Sequence, residues 1–125
     1  MKHYNPLKVP NPKEWLELDE QERIDLVRKY HRQKRIRLPN AELHALFHVI
    51  IENQIAAGDA LPTERTVRRL MAEGLDRHNA IHAIGTVISN YIFPAMQASP
   101  APEMPGDYFA ELQNLPAQNW LDSFS

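Results

Sequence analysis

Two pairs of histidines, His44 with His48 and His78 with His82, each stand four residues apart. At that spacing a helix carries both rings of a pair on one face, one turn from each other. Glu52 lies one further turn beyond His48. Two such helices packed with these faces inward would bring four imidazoles and a carboxylate together. Paired helical imidazoles can chelate a divalent metal, because both rings can turn toward one point. A nitrogen-rich set with a carboxylate suits Zn, Fe, Ni, Cu or Mn, and spacing does not rank them. The candidate ligands are therefore His44, His48, His78 and His82, with Glu52 as ligand or as acceptor behind one.

Three other fates are open to the same residues. The rings can form a metal-free polar cluster bonded to carbonyls, acids or each other, lie on the surface, or carry protons. Neither pair has the glutamate of H-E-x-x-H, since Ala45 and Asn79 follow the first histidines, and this excludes a zinc-protease reading. There is no cysteine, which excludes disulfides, thiolate metal sites and cysteine nucleophiles. Asp76 is placed to orient a ring by accepting its free N–H. A reaction, and hence an enzyme, is not legible.

Positioning these residues is the work of helices. Asn11-Pro12 reads as a cap and first helical residue of a short turn carrying Trp15 and Leu16. Asp19 with Glu22 has capping-box form and opens a helix over about 20–34, with Ile24, Val27 and Tyr30 at helical spacing. Asn40 caps a helix to about Ala57, stopped by Gly58. Leu43, Leu46, Phe47, Val49, Ile50, Ile51 and Ile55 are apolar around most of its circumference, as in a central helix buried on several sides. Thr63 reads as the cap of a shorter helix with Val67, Leu70 and Met71, ended by Gly74. Asp76 caps the last long helix, about 76–93, which Pro94 ends. Gly85 inside it points to a close approach by another backbone or a bulky ring. Asp107 reads as the cap of a short helix with Tyr108, Phe109 and Leu112.

The expectation is an all-α protein: a compact bundle of four to five helices with an extended N-terminal arm and a Pro-rich C-terminal tail. The arm covers 1–18, the core 19–95, and the linker and short helical tail 96–125. A chain of 125 residues suits one such domain. No apolar signal core and no apolar run of roughly 20 residues is present, so a soluble cytoplasmic protein with no membrane partner is expected.

Net charge is −2, yet six of the fourteen Lys and Arg residues fall between Arg28 and Arg37. Acids at the start of that helix and bases at its end suit its dipole, which argues against nucleic acid. The alternative to a metal site is a non-enzymatic adaptor. It would bind a protein or RNA partner through this basic helix or through Trp120 and Phe124, and a homo-oligomer is a further possible partner state.

Residues 40–93 as a string resemble an uncharacterised bacterial family, domain of unknown function 1841. The likeness rests on Leu43-His44, His48, Gln54 and the run from Asp76 to Ala83, D-R-H-N-A-I-H-A. The family has an E-Q dipeptide where Asn53 here separates Glu52 from Gln54. Pro105 to Phe109 also resembles its C-terminal stretch, whereas the first 38 residues do not match. The resemblance implies a helical fold with His44, His48, His78 and His82 as one constellation, and no substrate. His48–Glu52 followed by His78–His82 also looks like the middle of a hemerythrin-type di-iron bundle, but no histidine follows His82 to supply that family's last helix. Leu70 to Ile81 is similar to the helix-loop-helix of ubiquitin-associated domains, a look shared by any glycine stop followed by an aspartate cap.

Overall fold

Asn11 accepts the Glu14 N–H with its side chain and Pro12 takes the first helical position, so α1 (Pro12–Glu17) begins where the sequence predicts. Six residues cannot hold a helix in water unaided. Trp15 does so by burying its ring completely while its Nε1 donates to Asn53 Oδ1 at 2.8 Å. Arg23 adds hydrogen bonds to the carbonyls of Trp15, Leu16 and Leu18, which terminate the helix.

The computed structural model describes residues 1–35, 40–96 and 106–116, all helix, turn or coil, with no strand among them. The elements after α1 are α2 (Glu20–Gln33), α3 (Ala41–Ala56), a 3-10 turn at Gly58–Ala60, α4 (Thr63–Ala72), α5 (Arg77–Met96) and α6 (Gly106–Asn114). The capping box of Asp19 and Glu22 forms at the start of α2, and Asn40 caps α3 by accepting the Leu43 N–H at 3.0 Å. Gly58 (φ 67°) and Gly74 (φ 119°) turn the chain after α3 and α4 in the left-handed region that glycine tolerates.

α3 is the central helix. It packs against α1, α2, α4 and α5, and buries Ala45, His48, Val49, Ile51, Glu52, Gln54 and Ile55. Ala45 and Val49 join Tyr4, Trp15 and Val27 in one apolar cluster. Ile51 and Ile55 join Leu70, Ile81, Ile84, Ile88, Tyr108 and Leu112 in the other. The N-terminal segment is thus part of the core, with Tyr4 only 4% exposed. Gln54 Oε1 accepts from both Thr63 Oγ1 (2.7 Å) and Tyr108 Oη (3.0 Å), tying α3 to α4 and α6.

Four local expectations are corrected, one of them that Asp107 caps the last helix, since α6 begins at Gly106 and Asp107 lies inside it. Thr63 does not cap α4: it is the first helical residue, and its hydroxyl is committed to Gln54. Pro94 does not end α5, which runs to Met96. Gly85 is not approached closely, since a Cβ built there would meet nothing within 4 Å. The Pro-rich stretch from Ala98 to Pro105 and the tail residues Trp120, Leu121 and Phe124 lie outside the described residues. No described helix is long and apolar enough to cross a membrane.

Candidate metal centre

Three helices deliver five of the chain's six histidines to one place. On α2, Ile24, Val27 and His31 follow at helical spacing, so His31 turns inward with the apolar face, 3% exposed, while Arg28, Lys29, Arg32 and Lys34 stand exposed. α3 supplies His44 and His48, and α5 supplies His78 and His82. One nitrogen from each of the five rings lies within 4.8 Å of every other. Asp76 caps α5, accepting the Asn79 N–H at 2.7 Å, and this fixes the turn that carries His78.

Hydrogen bonds outside the cluster decide which ring nitrogens carry protons. His31 Nδ1 is 2.8 Å from the Val27 carbonyl, which can only accept, so Nδ1 holds the proton and Nε2 a lone pair. That Nε2 is buried and has no partner among the described residues, and the same is true of His78 Nε2. Tyr4 donates its single proton to Glu52 Oε2 at 2.6 Å, so His48 Nδ1, 3.0 Å from the Tyr4 oxygen, donates to it. His48 Nε2 is then also a lone pair. It lies 3.2 Å from His82 Nε2, which lies 3.2 Å from His44 Nε2. With His48 Nε2 unprotonated, His82 Nε2 can either donate to one neighbour or accept from His44, so at most one of these two contacts is a hydrogen bond.

Glu52 is not among the converging donors. Its carboxylate, fully buried, is gripped by Arg77 through both oxygens, at 2.7 and 2.8 Å, and receives the Tyr4 hydroxyl. Arg77 also donates to the Pro6 carbonyl at 2.9 Å and so fastens the N-terminal segment over the site. Glu52 therefore reaches His48 only through the Tyr4 hydroxyl, which fixes the tautomer and orientation of that ring.

Burial holds every ring of the cluster below the ordinary histidine range, and the neighbouring imidazoles add to it for all but His31. His44, His78 and His82 are pushed down to about 4. His48, enclosed most deeply, is well below its usual value, and His31 is lowered despite its bond to Val27. Near neutral pH all five rings are uncharged, the state in which imidazole binds metal. The Tyr4 hydroxyl is raised well above its ordinary value by burial and by Glu52, so it stays a proton donor.

The structure brings His44, His48, His78 and His82 together as their spacing suggests. Sequence reasoning missed three participants: His31, Tyr4 and Arg77. His31 was detectable as the residue four after Val27 on the inward face of α2, although its basic neighbours drew attention to charge. Comparison with family models, with curated proteins and with solved structures finds no match for the chain.

Proposed function

We propose that this protein binds one transition-metal ion through the five-histidine cluster, with His48 held for the task by Tyr4 and Glu52. The supporting observation is the inward lone pairs. The external bonds of His31 and His48 turn their Nε2 atoms into a shared interior as unprotonated donors. As a metal-free polar cluster the arrangement would leave His31 Nε2 and His78 Nε2 buried without partners, each at a cost of about 1–3 kcal/mol. One ion relieves both, and an all-imidazole set suits Zn, Cu, Ni or Fe.

Metal analysis on protein purified without a polyhistidine tag tests this, with one equivalent per chain expected. Tyr4→Phe should keep the stoichiometry but weaken affinity by about 10–100-fold, because His48 loses the acceptor that fixes its tautomer. Less than half an equivalent of every metal tried, with melting unchanged by added metal, would refute the proposal.

A further inference from the structure

A cavity of about 330 Å³ opens between α3 and α5 directly against the cluster. His44, His48 and His82 form one end of it, and Phe47, Ile51 and Ile81 form apolar wall. His31 and His78 do not line it, so the centre faces the cavity on one side only. Gly85, one turn past His82, keeps that space open: a glycine weakens a helix, and here no neighbour requires one. Farther along α5 the hydroxyls of Thr86 and Ser89 donate back to the carbonyls of Ala83 (2.6 Å) and Thr86 (2.7 Å). Both hydroxyls are therefore committed to the helix backbone and donate nothing to an occupant.

Charge selects the occupant's head. Five neutral imidazoles leave a divalent ion with its full charge, and Glu52 is neutralised by its pair with Arg77. Asp76, the carboxylate that caps the α5 turn carrying His78, offsets one charge and leaves a net positive centre. The volume is about twice the roughly 150 Å³ that accommodates benzene, enough for a ring and a head group.

Resting on the metal reading, we infer that the cavity is a binding site for a small organic monoanion, a carboxylate with an apolar body of about one ring. Its head would reach the metal past His44, His48 and His82, and its body would lie over Gly85.

Visible absorption of the Co²⁺-loaded protein tests this with benzoate, acetate and benzyl alcohol as probes. Co²⁺ uptake is read first, without probe, and its absence would defeat the metal reading itself. With Co²⁺ bound, benzoate should alter the spectrum to saturation at one equivalent. Acetate, lacking the body, and benzyl alcohol, lacking the charge, should each bind at least about tenfold more weakly. Gly85→Leu fills the cavity and should retain Co²⁺ while weakening benzoate at least about tenfold, with acetate little changed. Ser89→Phe closes the far end and serves as second variant should Gly85→Leu fail to fold. Equal binding of benzoate and acetate, no response to benzoate, or benzoate binding unaffected by filling the cavity would each overturn the inference.

Discussion

Replacing Arg77 by Met should lower the free energy of unfolding by about 3–5 kcal/mol, as expected when one partner of a buried ion pair is removed. The Arg77 side chain is 3% exposed and that of Glu52 0%, so the stranded carboxylate has no route to water without opening the core. The Pro6 carbonyl loses its donor in the same step, which loosens the segment carrying Tyr4. Against a total stability of about 5–15 kcal/mol, the loss should depress melting by on the order of 10–20 °C. The double variant Arg77→Met with Glu52→Gln removes both charges and should recover part of the deficit. Urea unfolding of the parent, the single variants and the double variant measures this. A loss under about 1 kcal/mol for Arg77→Met would mean that the pair is solvated.

In acid the metal-free protein should lose stability steeply as pH falls from about 6.5 toward 4. In the unfolded chain the histidines titrate near 6.5, whereas in the fold His44, His78 and His82 stay neutral until about 4 and His31 and His48 are also lowered. Between these limits the unfolded state binds more protons, so stability is full above the unfolded value and declines as pH drops. Each ring that remains neutral contributes up to about 1.4 kcal/mol per pH unit, so even three produce a steep limb. His82→Gln should flatten it by about one proton. Saturating metal should raise melting near neutral pH, by about 2.7 kcal/mol at a hundredfold excess over Kd, and this gain should vanish in acid as protons displace the ion. Chelator-treated protein with the same melting temperature from about pH 8 to about pH 5 would contradict the buried neutral cluster.

The helices and four of the five histidines are legible in the sequence because both depend on short-range rules. Asn11, Asp19, Asn40 and Asp76 make their capping bonds within three residues, and each histidine pair needs only the helical period. Tyr4 was not legible, because its partners His48 and Glu52 lie 44 and 48 residues away and no local pattern marks it. Arg77 was visible only as a letter in a string, since its role depends on a carboxylate 25 residues earlier. Gly85 was misread for a related reason. A helix glycine signals missing bulk, but sequence does not say whether a neighbour or a cavity takes the space.

Trp15 gives the molecule an optical readout of its own. The indole is fully buried 5.8 Å from the Tyr4 ring, and Tyr4 is 5.9 Å from His48, so one aromatic step separates the fluorophore from the cluster. The chain has two tryptophans, and Trp120→Phe leaves Trp15 as the sole indole. Release of the N-terminal segment would bring water to the indole and shift its emission to the red. Arrival of a paramagnetic ion such as Cu²⁺ or Co²⁺ within that short distance would quench it. Docking of the segment and loading of the centre are thereby separable by colour and by intensity in one unlabelled protein.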